Sequence, residues 1–483
     1  MNAPQIVWLR RDLRLADQPA FRAAAAAGPV IPAYVLDDES PKHRTMGGAS
    51  RWWLHHSLAS LARDLEARGS RLILRRGRSE EVLAALVEET GARAVHALRH
   101  VESWWREAEG AVASALPTDV ALERYEGLYL LPPGSVTNGQ GGQYRIFTPF
   151  YRALLSHMPP PAPLSEPELS APSAWPVSER LEDWGLLPTS PDWAGGFRAA
   201  WQCGEGAAHA QLTDFARRVA SYDEKRNLPS IDGSSRLSPH LHFGELSPAH
   251  VWHALAKKGG AGVESFLREL VWRDYAANIL GQFPDYPERP YKAEFAQFPW
   301  RDPLSDSQAA ADLEAWKYGR TGYPIVDAGM RQLRATGWMH NRVRMIAASF
   351  LIKHLLIDWT EGERWFWDNL VDADYGNNGV NWQWSAGCGA DANMFGRIMA
   401  PLTQSEKFEA APYIRQWVPE LSGLDAPYVH DPDSYGMRPP AYPRKRIGHR
   451  EGRERALAAW ERLRSARAES DRLMACPNGE AES

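Results

Sequence analysis

Cysteine is scarce in this sequence of 483 residues, and its few copies are widely separated. Cys203, Cys388 and Cys476 are the three cysteines, and no CxxC spacing occurs. Structural disulfides and zinc sites need cysteines in close spacing, so this distribution indicates a reducing compartment and argues against a metal site. No apolar run reaches about 18 residues, which argues against a membrane span. The opening MNAPQIVWLRRD has the character of a strand rather than of a signal peptide. We therefore expect a cytoplasmic protein that makes no membrane contact.

The amino-terminal part also lacks a glycine-rich GxGxxG motif after its first apolar run, which argues against a dinucleotide site there. Short apolar runs rich in β-branched residues alternate with helical patterns at 50–68 and 79–90. This alternation predicts a doubly wound parallel sheet, in which ligands bind at the carboxyl ends of the strands. The predicted strands are residues 5–9, 30–36, 71–75, 94–98 and 119–123.

The chain is too long for a single core, and its composition changes along its length. Residues 159–200 are rich in Pro, Ser and Trp, which predicts a linker wrapped over a surface. Beyond Gly204 the pattern is helical to about residue 468. We predict an α/β domain over 1–130, an interdomain linker over 131–200, an all-α domain over 201–475 and a frayed tail over 476–483.

Acidic residues outnumber basic ones overall, yet one segment is strongly basic. The net charge is −5, but residues 316–353 carry seven cations against Asp327 alone, a local charge of +6. Such a stripe predicts a nucleic-acid groove, with a solvated helix face as the alternative. The chain also holds 21 tryptophans, which indicate either a tryptophan-rich core or stacking and electron transfer. The basic residues of the stripe are Lys317, Arg320, Arg331, Arg334, Arg342, Arg344 and Lys353.

Several motifs resemble those of one family. The run WLRRDLRLADQPAF near the amino terminus, the segment WMHNRVRM and the later NWQW are similar to the DNA photolyase/cryptochrome family, and most of all to class I cyclobutane pyrimidine dimer photolyases. The resemblance covers about residues 5–465. It implies an α/β antenna domain and a helical domain that binds FAD, with the reduced, anionic form of FAD as the active cofactor. It also implies that the protein is a monomer and that its partner is damaged DNA.

The resemblance assigns a set of residues to FAD. The run GSSRLS opens a helix through Ser238, where hydroxyls and backbone N–H groups suit a pyrophosphate. Arg344 is expected to pair with Asp372 and so to stabilise the anionic reduced ring without an unpaired buried charge. Asn378 matches the position that faces flavin N5, where an amide can donate or accept. The complete expected set is Tyr222, Ser234, Ser235, Arg236, Leu237, Ser238, Trp338, Arg344, Asp372, Ala373, Asp374 and Asn378.

A second set is expected to hold two linked pyrimidines. Asn341 and Met345 share a helix face at i, i+4, and Glu269 and Trp272 do so at i, i+3. With Trp384 they would line a pocket in which the two indoles stack on bases, at roughly 1–3 kcal/mol each. Together with Asn378 these are the expected catalytic residues, and core packing is the alternative for each one alone. The expected DNA contacts are Arg226, Glu269, Trp272, Asn341, Arg342 and Gln404.

Three further tryptophans match the family's electron relay from the flavin to the surface. They are Trp300, Trp359 and Trp382, and three packed core indoles are the alternative.

At the expected antenna site the sequence departs from the pattern of some relatives. Where some relatives hold folate with an Asn-Glu pair, this chain reads RHVESWWREAEG and places Trp104 and Trp105. Folate binding in that mode is therefore in doubt, and a deazaflavin antenna, a flavin antenna or none stays open.

These expectations combine into a light-driven lyase. Reduced FAD, excited by blue or near-ultraviolet light, passes an electron to a flipped-out dimer, whose cyclobutane ring opens before the electron returns. Flipping is cheapest at damaged sites, so the lesion itself contributes selectivity. The alternatives are a cryptochrome photoreceptor, whose usual long regulatory tail is missing, and a (6-4) photolyase, whose relatives typically carry a second His at Asn341. A flavoprotein without a DNA role would leave the basic stripe unexplained.

Overall fold

The computed structural model describes residues 2–40, 43–392 and 398–475. The predicted tail over 476–483 lies outside these residues. The amino-terminal part is a five-stranded parallel sheet in the order β3-β2-β1-β4-β5. Its strands are β1 Gln5–Leu9, β2 Val30–Leu36, β3 Ile73–Arg76, β4 Ala94–Leu98 and β5 Ala121–Tyr125. Its helices are α1 Pro19–Ala27, α2 Gly48–Glu66, α3 Ser79–Thr90 and α4 Ser103–Ala115.

Two predicted strands begin two residues too early. The runs at 71–75 and 119–123 correspond to β3 and β5, and the helix predicted at 50–68 is α2 at 48–66. The later start of β5 has a local cause: Val120 N–H donates to the Pro117 carbonyl and so belongs to a turn that precedes the strand. Apolar composition alone does not separate such a turn from the strand that follows it.

The central strand β1 is buried on both faces, as a parallel sheet with helices on each side requires. Val7 and Leu9 pack into one apolar cluster, while Ile6 and Trp8 pack into another. Strand β1 pairs in parallel register with β2 on one side and with β4 on the other, and the strand order reverses between β1 and β4. The carboxyl ends of these two strands therefore form the crevice where ligands of this fold class bind.

The segment after the sheet runs back along the α/β domain. It contains α5 Phe147–Leu155 and α6 Gly195–Ala200. Between them, the Ser170 carbonyl accepts from Val30 N–H at 3.0 Å, and Glu179 N–H donates to the Leu74 carbonyl at 2.9 Å. These bonds hold the segment against β2 and β3.

The remainder of the described chain is helical, which confirms the predicted fold class of a parallel α/β domain followed by an all-α domain. None of the helices in the described ranges is long and apolar enough to cross a lipid bilayer. The helices before residue 340 are α7 Glu205–Arg218, α8 Tyr222–Lys225, α9 Ser238–His242, α10 Pro248–Ala256, α11 Ala261–Gln282, α12 Ser307–Lys317 and α13 Pro324–Thr336. The later ones are α14 Asn341–Ser349, α15 Trp359–Asn369, α16 Tyr375–Ala386, α17 Pro401–Lys407, α18 Ala411–Trp417 and α19 His449–Ala475.

The carboxyl edge of the sheet faces the helical domain at close range. Leu13 N–H donates to the Phe243 carbonyl at 3.1 Å, and Arg14 donates to the Gly244 carbonyl at 3.0 Å. Gly244 has a positive φ of 65°, and a Cβ there would lie 2.2 Å from the Arg11 carbonyl oxygen. A side chain at this position would therefore separate the two domains.

Candidate active site

Two adjoining cavities open in the helical domain, and most predicted site residues line them. The larger has a volume of about 510 Å³ and the smaller about 100 Å³. The predicted residues in the larger cavity are Tyr222, Arg226, Ser234, Ser235, Arg236, Ser238, Glu269, Trp272, Trp338, Asn341, Arg342, Arg344, Met345, Asp372, Asp374 and Trp384. The smaller cavity shares five of them and adds Ala373, Asn378 and Trp382.

Arg344 and Asp372 form the ion pair that the sequence predicted. The guanidinium of Arg344, in the first turns of α14, donates to Asp372 Oδ1 at 3.1 Å and to Oδ2 at 2.9 Å. Its Nε donates to the Met339 carbonyl at 2.7 Å, and the Ser238 hydroxyl donates to Asp372 at 2.6 Å. Because these bonds fix both side chains, a cation is held at the cavity wall with its carboxylate already satisfied.

The loop at 233–238 differs from the prediction in one respect. The helix α9 that follows it has five residues, which is too short to provide an effective helix-terminal anion site. Arg236 adopts a positive φ of 54°. Its guanidinium carbon lies 4.4 Å from the ring centroid of Trp201 and 5.2 Å from that of Trp338. If this loop binds an anion as predicted, the available groups are the Arg236 cation and the neighbouring serine hydroxyls rather than a helix dipole.

Leu237 does not line either cavity. Its side chain is 1% exposed and packs in the apolar cluster that also contains Tyr222 and Phe266. The predicted contact of Leu237 with a cofactor is therefore restricted to its backbone. Periodicity could not show this, because the loop has no regular repeat.

Asp374 caps the amino terminus of α16 and carries the charge of the cavity floor. Its Oδ1 accepts from the backbone N–H and the side-chain amide of Asn377 at 2.8 and 2.9 Å. Burial opposes its ionisation, but the His242 imidazole, 3.7 Å away, and the charge of Arg11 hold the pKa of Asp374 below its ordinary value. The carboxylate is therefore ionised across the physiological range.

At the mouth of the larger cavity, two predicted DNA contacts are paired with each other. Arg226 Nη1 lies 2.6 Å from Glu269 Oε1, and both side chains are partly exposed. Trp272, one turn further along α11, stacks on Phe147 with ring centroids 3.4 Å apart and an interplanar angle of 4°. Phe147 thus fixes one face of the indole and leaves the other side for the cavity.

The segment at 338–345 brings three predicted residues to the same wall. Asn341 and Met345 are one turn apart on α14 and line both cavities, as their spacing predicted. Arg342 Nη2 donates to Asn227 Oδ1 at 2.7 Å. Its guanidinium lies 4.7 Å from the Phe408 ring centroid. Gln404 lies on α17 and lines neither cavity. It is one helical turn before Phe408, the residue whose ring the Arg342 guanidinium contacts.

The three relay candidates lie on connected segments. Trp382, 2% exposed, lies against α15 so closely that a Cβ at Gly362 would be 2.1 Å from its ring. Trp359 begins that same helix, three residues before Gly362, and is also 2% exposed. Trp300 is half-buried, and the N–H of the next residue, Arg301, donates to the Leu356 carbonyl at 2.8 Å. Of the three indoles, Trp382 lines the smaller cavity, Trp359 is buried outside it and Trp300 is half-buried.

The predicted basic stripe over 316–353 does not form one surface. Lys353 is 1% exposed in the helical core, and Arg331 forms a bidentate ion pair with Glu420 at 2.7 and 3.0 Å. Arg334 stacks on Tyr318 at 4.3 Å from the ring centroid. Lys353 is therefore excluded from the predicted nucleic-acid groove, because helical periodicity turns neighbouring cations to different sides. The part of the groove formed by the other cations stays a prediction. Of the seven cations, all within the described ranges, Arg342 and Arg344 line the larger cavity.

Several cavity residues were missed by the sequence reasoning. Asn377 and Asn381 line both cavities, and their i, i+4 spacing in the run YGNNGVNWQW is a signal that could have identified them. His340 caps α14 by accepting from Arg342 N–H at 3.2 Å. Burial and the charges of Arg344 and Arg342 lower its pKa to about 4, so this imidazole is neutral at pH 7. Only the fold could identify Glu363, the hydrogen-bond partner of Asn378, since it lies on a different helix.

A further cavity, the sheet-end cavity, lies between the carboxyl edge of the sheet and the helical domain. Trp104 and Trp105 are only 7% and 8% exposed, and His43 packs edge-on against Trp105 at 4.8 Å. Glu102 forms an ion pair with Arg11. The two indoles therefore fill space at the position where the Asn-Glu pair was missing. Among the lining residues are Arg11, Asp37, His43, Arg44, Trp104 and Trp105.

Sequence profiles of two known domains match the chain. A profile described as the FAD binding domain of DNA photolyase matches residues 266–462, and one described as DNA photolyase matches residues 5–168. The deoxyribodipyrimidine photo-lyase of Agrobacterium fabrum is 45% identical over 477 residues, which cover 95% of this chain and 98% of that protein.

Solved structures match over nearly the same span. A class III photolyase from Agrobacterium tumefaciens is 44% identical, with a TM-score of 0.91 and coverage of 96% of this chain and 98% of that one. An archaeal photolyase from Sulfolobus tokodaii, described with two FAD molecules, is 28% identical with a TM-score of 0.80 and coverage of 95% and 100%.

Proposed function

The chain belongs to the DNA photolyase/cryptochrome family, and we propose that it is a light-dependent repair enzyme that splits cyclobutane pyrimidine dimers in DNA. In this proposal it is a deoxyribodipyrimidine photo-lyase, a carbon–carbon lyase that uses reduced anionic FAD. The observation that carries the proposal is the pair of adjoining cavities, which brings the cofactor set and the substrate set of residues together.

The residues of these cavities fit FAD. The Arg344–Asp372 pair offers a positive charge that suits a reduced, anionic ring. Among the described residues, Arg236 Nε is buried without a hydrogen-bond partner, and the Arg236 side chain lines the larger cavity. Buried polar atoms without protein partners are expected where a ligand supplies them. When bound and reduced, FAD supplies the one-electron chemistry.

The chain's own residues bind and orient the substrate in this proposal. Trp272, backed by Phe147, and Trp384 present indole faces on which flipped-out pyrimidines stack. A DNA phosphate that engages Arg226 would compete with Glu269, whose carboxylate now accepts from that guanidinium. Glu269 is then released to hydrogen-bond a pyrimidine edge. Binding of the strand and positioning of the lesion are thereby coupled.

The test of the substrate pocket separates repair from signalling. Glu269→Ala and Trp272→Ala should lower dimer binding or repair yield by tenfold or more while FAD stays bound, because both contact the substrate rather than the cofactor. Repair of thymine dimers under blue light by chemically reduced enzyme is the measurement, and bound flavin is quantified by absorbance. If both variants repair as well as the parent, the pocket assignment fails. If the parent itself repairs no dimer, the protein is either a cryptochrome or a (6-4) photolyase. An assay of repair on a (6-4) substrate distinguishes these two alternatives.

We propose that Trp382, Trp359 and Trp300 carry electrons to the flavin from the surface. The contact of Trp382 with the backbone of α15 at Gly362 supports the inner part of this path. Trp382→Phe and Trp359→Phe should block light-driven reduction of oxidised FAD, because phenylalanine is much harder to oxidise than tryptophan. Repair after dithionite reduction should be unchanged. Normal photoreduction in Trp382→Phe would return these indoles to a packing role.

Three finer assignments complete the proposal. The class within the family stays a prediction, since the sequence favoured class I and a similar solved structure is described as class III. The antenna chromophore stays a prediction, with folate, deazaflavin, flavin or none as candidates that the absorption spectrum separates; the sheet-end cavity, about 30 Å³, is too small to hold any of the three. We also propose a monomer that works in the cytoplasm and joins the nucleoid when bound to DNA.

A further inference from the structure

A loop of the α/β domain reaches the helix beside the cofactor cavity. This loop, residues 43–47, follows β2 and leads into α2. Arg44 Nη1 donates to Glu363 Oε1 at 3.0 Å, and its Nη2 donates to Oε2 at 2.7 Å. The Glu363 side chain, in the middle of α15, is 3% exposed. A bidentate pair of this kind is geometrically specific and is strengthened by burial.

Glu363 in turn holds the amide of Asn378. The Nδ2 group of Asn378 donates to Glu363 Oε1 at 2.8 Å and to the Glu363 carbonyl at 3.1 Å. Both donors of the amide are therefore directed at Glu363, and Asn378 lines the smaller cavity. The Oδ1 atom is the polar atom of this side chain that remains for a ligand, and it can only accept.

The loop is fixed well enough to determine this orientation. Arg44 stacks on Trp367 at 4.3 Å from the ring centroid, and the Trp367 indole N–H donates to the Thr45 carbonyl at 2.9 Å. A Cβ at Gly47 would lie 2.3 Å from the Trp367 carbonyl oxygen, so only glycine permits this approach. The position of the Arg44 guanidinium is thus set by contacts on both sides.

The charge of Arg44 is what makes the Glu363 carboxylate stable where it lies. A buried carboxylate without a cation would be protonated or would turn away from its site. The other ionisable groups nearby are Tyr375, whose hydroxyl donates to Glu288 at 2.9 Å, and Glu288 itself. Neither supplies a positive charge to Glu363. Protonated Glu363 could donate to Asn378 rather than accept, which would permit the amide to rotate.

We propose that Arg44 is a positioning residue for the cofactor: by holding Glu363 as an acceptor, it presents the Asn378 carbonyl oxygen, and not its NH₂ group, to the flavin edge. The proposal rests on the proposed function only in requiring bound FAD. In this proposal Arg44, a residue of the α/β domain, influences the protonation and the redox potential of a cofactor that is bound in the helical domain.

The test compares Arg44→Gln with a matched variant, Arg331→Gln. Arg331 forms an equally bidentate pair with Glu420, away from the cavities. In Arg44→Gln we expect FAD to stay bound, light-driven reduction to slow about tenfold at pH 7, and the midpoint potential of FAD to shift. Arg331→Gln should leave both unchanged.

Two further readouts keep the proposal distinct from a general loss of structure. Infrared difference spectra with labelled asparagine should show a shifted Asn378 carbonyl band in Arg44→Gln. In flavin-free protein, Arg44→Gln and Glu363→Gln should be non-additive in thermal unfolding. Arg44→Lys, which keeps the charge, should restore most of the reduction rate. An unchanged midpoint potential and rate in Arg44→Gln, or loss of FAD in both Arg44 variants, would overturn the proposal. These outcomes do not depend on whether the parent repairs dimers.

Discussion

The larger cavity of the helical domain and the sheet-end cavity differ in how their buried carboxylates and imidazoles are satisfied. Two carboxylates of the larger cavity are each held by a cation, Asp372 by Arg344 and Glu269 by Arg226. Beside the sheet-end cavity, both ring nitrogens of His100 and one oxygen of Glu102 are buried without a hydrogen bond in the described residues. Burial and the charges of Arg10 and Arg11 lower the pKa of His100 well below its ordinary value.

The difference separates two kinds of binding site. Paired charges create a fixed electrostatic environment before any ligand arrives, which favours one charge state of the ligand. Buried polar atoms without partners carry a desolvation cost that a ligand or a water molecule can offset. The Arg344–Asp372 pair of the helical cavity therefore has a fixed geometry before a ligand binds, whereas His100 and Glu102 at the sheet end keep buried polar atoms without a hydrogen bond.

The largest effect is expected when the paired cavity is broken. Arg344→Ala leaves the Asp372 carboxylate, 5% exposed in its side chain, with the Ser238 hydroxyl but without its cation. Removing one partner of such a pair typically costs about 3–5 kcal/mol. The variant should therefore lose bound FAD, as measured by flavin absorbance after purification.

Arg331→Ala is the control for this prediction, because it breaks a bidentate pair that lines neither cavity. It should lower stability and retain FAD. Retention of FAD by Arg344→Ala would contradict the view that this ion pair holds the cofactor.

A second prediction concerns a single unpaired carboxylate on α11. Asp274 Oδ1 accepts from Leu131 N–H at 3.1 Å, but its buried Oδ2 has no hydrogen-bond partner among the described residues. Burial, only partly opposed by Arg273, raises the pKa of Asp274 to about 7. Between about pH 4 and pH 7 the unfolded chain is ionised here while the folded one keeps its proton, so this group lowers stability as the pH rises.

Asp274→Asn cannot ionise and should remove this loss. Its stability relative to the parent should rise by up to about 1.4 kcal/mol per pH unit through that window and then level off above it. Denaturant unfolding of both proteins from pH 4 to pH 9 is the measurement. A constant difference at all pH values would show that Asp274 is ionised in the folded protein.

The smallest expected effect is on DNA affinity, and it distinguishes a cation that lines the larger cavity from a cation that does not. Arg342→Ala should weaken binding to damaged and undamaged DNA alike and flatten the log–log salt dependence by about 0.9, the value for one phosphate contact. Arg334→Ala, which removes a stripe cation stacked on Tyr318, should leave the slope unchanged. Equal slopes for Arg342→Ala and the parent would remove Arg342 from the interface.

Residues of short, periodic segments were the ones that sequence reasoning placed well. Asn341 and Met345 share a cavity wall because an α-helix brings i and i+4 together, wherever that helix lies. Leu237 was placed less well, since it lies in an irregular loop whose side-chain directions follow no repeat. The cations of the basic stripe are separated for a related reason: they are close in sequence, but they lie on three helices, α12, α13 and α14, and on the segments that follow α12 and α14.

What the sequence by itself determined is the alternation of strands and helices, the local faces of α11 and α14, and the set of residue types available to the site. The tertiary structure alone decided which charges are neutralised and which amide orientation is held. Arg44 and Glu363 meet across 319 positions of chain, and no local pattern marks either residue as the partner of the other. Such a pair depends on how two domains dock, and docking follows from the shapes and close approaches of packed surfaces rather than from residue spacing.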